Sequence, residues 1–152
     1  MKTFLRPLAR LAVNVSVARR PVREVRVRAG ELAGARLLLD LRYEKAYWLG
    51  THEPAIEAAL LRLFGPGDVV YDVGAHAGFF AVLAQRAAGV SGRVVAFEPN
   101  PDVAERLRST LELNGGASAR VVARPVADAR RAVVLVAGPA PQEDSLRLPP
   151  PD

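Results

Sequence analysis

The sequence predicts an α/β domain built on a parallel sheet, and three stretches carry that prediction. Val69, Val70 and Tyr71 are β-formers in a short apolar run closed by Asp72, the pattern of a strand covered on both faces. Gly74-Ala75-His76-Ala77-Gly78 then makes a turn of little bulk, and Phe79 to Ala88 continues as an apolar, Ala-rich helix. Arg93 to Glu98 is a second apolar strand that ends in an acidic residue. A strand, a glycine turn and a helix in that order aim backbone N–H groups and the positive end of a helix dipole at one spot. That spot suits an anionic or polar cofactor group, and the glycines let a ligand approach bare backbone.

The acidic residue narrows the ligand. Glu98 lies 20 residues after Gly78, a spacing typical of nucleotide-binding βαβ units, in which this carboxylate accepts hydrogen bonds from ribose hydroxyls. The turn reads G-A-H-A-G, so the third glycine of a pyrophosphate-clasping G-x-G-x-x-G is missing from its place. No G-x-x-x-x-G-K-[ST] occurs, which excludes a P-loop. An acidic residue just before the first glycine, here Asp72, is the pattern of S-adenosylmethionine sites, which bind a charged amino-acid tail and no pyrophosphate. A NAD-type oxidoreductase is the runner-up among enzymes.

The segments AYWLGTHEP, FGPGDVVYDVGAHAGFF, GRVVAFEPNPDVAERLRSTLELNG and VVARPVAD resemble, in order and spacing, the FkbM-type S-adenosylmethionine-dependent methyltransferases. The resemblance runs from about Val22 to about Leu148. DVGAHAGFF, AFEPNP and Asn114 are its most specific parts. It implies a Rossmann-like methyltransferase fold and O-methylation of a small molecule or a sugar hydroxyl. The cofactor residues it implies are Asp72, Gly74, Ala75, Gly78 and Glu98, with Asn100 and Asp128 toward the adenine and Glu53 or Thr51 near the methionine end.

Composition sets the frame for these motifs. With 152 residues, half of them hydrophobic, the chain is one globular domain by length. It contains no cysteine, which excludes disulfides and thiolate metal sites and fits a cytoplasmic protein. Two histidines, His52 and His76, make no structural zinc site. Of the 21 basic residues, 19 are arginine, and the net charge is +5. No aromatic residues interleave with that charge, so nucleic-acid binding is not expected.

In chain order, residues 1–21 read as a basic N-terminal segment with no apolar run long enough to span a membrane. Glu24 to Arg28 alternates, with Val25 and Val27 on one side, and Ala35 to Leu41 is a second strand, which predicts a β-hairpin beside the main sheet. Tyr43, Tyr47 and Trp48 read either as an aromatic plug or as part of the pocket wall. Pro54 to Phe64 predicts an amphipathic helix, with Ile56, Leu60, Leu61, Leu63 and Phe64 apolar and Glu57 and Arg62 exposed. His76 reads as a loop histidine whose side chain points away from the ligand. Asn100 and Pro101 open a helix that Asn114-Gly115 ends.

Arg120 to Val126 and Arg131 to Val136 are two further strands, the first interrupted by Pro125, and the chain becomes Pro-rich from Gly138. The expected organisation is a partial Rossmann-like methyltransferase domain over 22–137 and a tail over 138–152. Measured against the family, the substrate half of the sheet is missing, so the expectation is a truncated relative with impaired activity and no identifiable catalytic base. Its cofactor strand then has an open edge, available to the N-terminal hairpin or to a second copy. Readings outside methyl transfer are a non-catalytic nucleoside-binding module or a basic interaction protein.

Overall fold

The computed structural model describes residues 21–128, 134–136 and 145–147. The expected basic segment, apart from Pro21, lies outside them, as do residues 131–133 of an expected strand and most of the expected tail.

β1 (Val22–Arg26) and β2 (Arg36–Asp40) form the predicted antiparallel hairpin, with Val22 opposite Asp40 and Arg26 opposite Arg36. Val27 is buried but sits just past β1, where its N–H donates to the Ala35 carbonyl at 2.9 Å. A short helix α1 (Lys45–Leu49) and a longer one, α2 (Pro54–Leu63), lead to β3 (Val69–Val73). Then follow α3 (Phe79–Ala88), β4 (Arg93–Phe97), α4 (Pro101–Leu113) and β5 (Ala119–Val122). β5 stops three residues before Pro125, whose lack of an N–H ends ladder pairing. β6 (Val134–Val136) pairs antiparallel with β7 (Ser145–Arg147), so a strand occupies part of the expected tail.

The main sheet is parallel, in the order β3-β4-β5, with Val70 level with Val94 and Val94 level with Ala119. Strand order and sequence order coincide. Two successive crossovers of one hand then place α3 and α4 on the same face. The core agrees: Val70, Val94 and Ala96 cluster with Phe79, Val82 and Leu83 of α3 and with Leu107 and Leu111 of α4. Leu37 and Leu39 of the hairpin close the same cluster from the other side. Helix α3 is therefore held between sheet and hairpin, which is why it is apolar nearly all the way round.

Two expectations are corrected here. β3 was read as covered on both faces, but only the Val70 side is: Val69 is 57%, Tyr71 66% and Val73 61% exposed. With both crossover helices on one face, no described residue covers the other. The hairpin does not pair with the free edge of β3 either. It docks on α4, where Asn114 Oδ1 accepts from Arg36 N at 3.1 Å and Asn114 Nδ2 donates to Arg36 O at 2.6 Å. Leu38 N adds a donation to Thr110 Oγ1 at 3.3 Å, so the outer edge of β2 is capped by helix side chains.

Helix α2 also departs from its pattern. Glu57, read as exposed, is 1% exposed, whereas Ile56 and Leu63 face outward. Glu57 packs toward the Gly30 turn, where a side chain on Gly30 would approach its Oε2 to 3.7 Å. Burial pushes the Glu57 carboxyl above its ordinary range.

Candidate functional site

The glycine turn is fastened to the end of β4 by its own amides. Gly74 N and Ala75 N both donate to Phe97 O, at 2.9 and 3.0 Å. His76 N donates to Glu98 Oε2 at 3.0 Å, and Asn100 N donates to Glu98 Oε1 at 2.9 Å. Glu98 is thus buried between two backbone N–H groups that fix its plane. Each carboxylate oxygen keeps a further lone pair for an outside donor.

The two glycines have separate reasons. Gly74 is left-handed (φ +82°), and the space where its side chain would stand is open. At Gly78 (φ +92°) a Cβ would lie 2.7 Å from Leu107 Cδ1 and 3.3 Å from Thr110 Cγ2. Gly78 therefore lets α4 close against the turn, a packing role beside the ligand contact read from the sequence. Ala75 is buried. Asn100 caps α4, its Oδ1 accepting from Asp102 N and Val103 N at 3.0 and 3.3 Å.

Asp72 projects from β3 on the covered side and lines a cleft of about 230 Å³ with Glu53, Ile56, Leu60, Phe64, Phe80 and neighbours. Its Oδ2 is buried and has no hydrogen-bond partner among the described residues. Burial, and secondarily the charge of Glu98, pushes the Asp72 carboxyl up to about 6. A buried carboxylate without a donor is costly unless something brings one.

Glu53 stands across the cleft in a left-handed conformation (φ +44°) at the start of α2. Glu53 and His76 (φ +48°) are the positive-φ residues other than glycine among the described residues, and both are at this site. Backbone in this region is held only where surrounding structure enforces it. Thr51 is exposed beside Glu53, and Asp128 is exposed on the segment after β5.

Two groups stand beside the turn, one that the sequence left open between plug and pocket wall and one that it did not reveal. One is aromatic: Tyr47 stacks on Phe79 (5.0 Å between centroids) and meets the edge of His52 at 4.4 Å, while His52 contacts Phe80 at 5.6 Å. Tyr47 thus packs as a plug over the start of α3, whereas Tyr43 is exposed and Trp48 lies under Arg28. Burial pushes the Tyr47 hydroxyl up and the His52 imidazole down.

The other group is ionic. Glu44 is buried and accepts from Asp40 N (2.6 Å) and from both terminal nitrogens of Arg106 (3.0 and 2.9 Å). His76 Nε2 lies 3.3 Å from Glu44 Oε1. The expectation of a merely tolerated loop histidine is corrected: its side chain is gripped below the turn. No short motif links residues 44, 76 and 106, so only the fold brings them together.

Among the described residues no helix is long and apolar enough to cross a membrane, and no His/Asp/Glu group is placed to hold a metal ion. No curated protein matches the sequence. Similar solved structures include an S-adenosylmethionine-dependent O-methyltransferase from Thermotoga maritima, 22% identical, covering 73% of this chain and 43% of that one, with TM-score 0.45. Another is Trm5 from Methanocaldococcus jannaschii in complex with adenosine, 23% identical, covering 70% and 29%, with TM-score 0.48. A protein-L-isoaspartate O-methyltransferase is 22% identical, covering 47% and 22%, with TM-score 0.41. The chain spans less than half of each. Residues 72–144, which hold the glycine turn, Glu98 and the α4 cap, match the methyltransferase FkbM domain.

Proposed function

We propose that this chain binds S-adenosylmethionine and serves methyl transfer to a hydroxyl oxygen of a small molecule or sugar. The observation that carries this reading is the buried Asp72 Oδ2, which has no donor among the described residues, beside the glycine turn and with Glu98 close enough to repel it. Two carboxylates at one turn oppose a pyrophosphate and favour a cationic amino-acid tail. That counts against the NAD-type alternative.

The residues fit the cofactor as follows. Asp72, with Glu53 across the cleft, receives the ammonium; Gly74 and Ala75 give close access to backbone; Glu98 accepts from the ribose hydroxyls; Asn100 borders the adenine. Asp128 as an adenine partner belongs to this proposal as well. The bound cofactor supplies a methyl group on a sulfonium centre. This chain's part is to hold and orient it, since positioning accounts for much of the barrier in such transfers. The family match supports methyl transfer, and the hydroxyl acceptor is part of the proposal. The absence of cysteine fits a cytoplasmic setting.

Calorimetric titration with S-adenosylhomocysteine, with NAD in parallel, tests the reading. Saturable binding of the former alone, lost in Asp72→Asn and Glu98→Gln, supports it. Binding of neither ligand by the folded chain sinks it. Binding without turnover of any hydroxyl acceptor points to a nucleoside-binding module.

A further inference from the structure

We infer that Glu44, Arg106 and His76 form a positioning cluster that sets the ribose-reading orientation of Glu98, a step resting on the cofactor reading above. The three residues come from distant parts of the chain: the turn before α1, the middle of α4, and the glycine turn. Their side chains are almost entirely enclosed, with exposures of 2%, 9% and 13%. Glu44 Oε1 is shared by Arg106 at 2.9 Å and His76 Nε2 at 3.3 Å, and Arg106 also approaches His76 Nε2 at 3.4 Å.

His76 is where this cluster acts on the site. Its backbone is left-handed, a conformation that costs an L-residue free energy and persists only under outside constraint. In that conformation its N–H is aimed at Glu98 Oε2 at 3.0 Å. Side chain and amide of one residue thus connect a buried ion pair to the carboxylate. Asn100 N holds the other oxygen, so the amide of His76 decides how far the carboxylate plane can rotate. A histidine whose only task was to fill a loop would need neither a buried Glu–Arg pair nor a strained backbone.

The test uses the full chain and two variants, Glu44→Gln and His76→Gly. Glycine accepts the left-handed backbone and leaves Glu44 and Arg106 paired, so His76→Gly folds even where loss of the Glu44 charge strands Arg106. Adenosine and 2′,3′-dideoxyadenosine compete against S-adenosylhomocysteine in calorimetric titrations, and circular dichroism confirms folding. Hydrogen bonds to a fixed carboxylate predict that the parent chain prefers adenosine by at least about tenfold. Both variants are expected to narrow that preference to about threefold or less while retaining binding. A merely structural cluster would lower stability and leave the ratio of the two nucleosides intact; a folded His76→Gly chain with the parent ratio overturns the inference. A parent chain that binds no S-adenosylhomocysteine defeats the cofactor reading itself, a separate result.

Discussion

Asp72 sets stability against binding at a single residue. Its carboxyl is pushed from 3.8 up to about 6 in the fold, so the folded chain holds that proton more tightly than the unfolded one. The resulting stability is fully present below about pH 4 and is lost as pH rises through about 6, for a total near 3 kcal/mol. Asp72→Asn is therefore expected to raise the melting temperature at pH 7.5 while weakening S-adenosylhomocysteine binding at least tenfold. Thermal unfolding and titration on the same samples check both. Cofactor affinity of the parent chain is expected to climb between pH 5 and 7 as Asp72 ionises; a flat profile would place the ammonium elsewhere. That Asp72, Gly74 and Glu98 gather at the ends of β3 and β4 was legible in the sequence because strand ends and glycine turns are local. Glu44 and Arg106 were not, since 62 residues separate them and neither belongs to a short motif.

Helix α4 is fixed through the glycine turn on one side and the hairpin on the other. Gly78→Ala combines a left-handed backbone with a 2.7 Å approach to Leu107, and is expected to cost about 2 kcal/mol or more in chemical denaturation. Asn114→Ala strips both Arg36 backbone groups and the Thr110 carbonyl of their partner. A loss of about 2–3 kcal/mol is expected, with faster amide exchange across β1 and β2. The hairpin, α3, β4 and the Asn100 cap followed from periodicity and capping chemistry. Leu60, Leu61 and Phe64 of α2 also pack on the core as expected, but the outward Ile56 and Leu63 and the inward Glu57 were not legible, because period alone cannot say which neighbour a helix meets. Glu57 turns inward toward the Gly30 turn, 27 residues earlier in the chain.

For the whole molecule, the sheet face bearing Val69, Tyr71 and Val73 is the feature with consequences for assembly. Tyr71 stacks on Phe97 at 6.3 Å between centroids, which makes this face continuous across two strands. Together with the free edge of β3, it is where we propose that two copies meet. Sedimentation at rising concentration checks this: Tyr71→Lys is expected to shift the population toward monomer with the fold intact. An unchanged distribution would remove this face from any dimer.

The enclosure of α3 bears on how the chain tolerates change over generations. Of its ten residues only Arg86 is exposed, whereas α4 buries Val103, Ala104, Leu107, Thr110 and Leu111 along one stripe. A saturation library selected for folding would therefore show α4 forgiving at every third or fourth position. Along α3 the same library would show intolerance broken at Arg86, beginning at the turn that presents the ligand site. The segment that leads out of that site is the one with least freedom to drift.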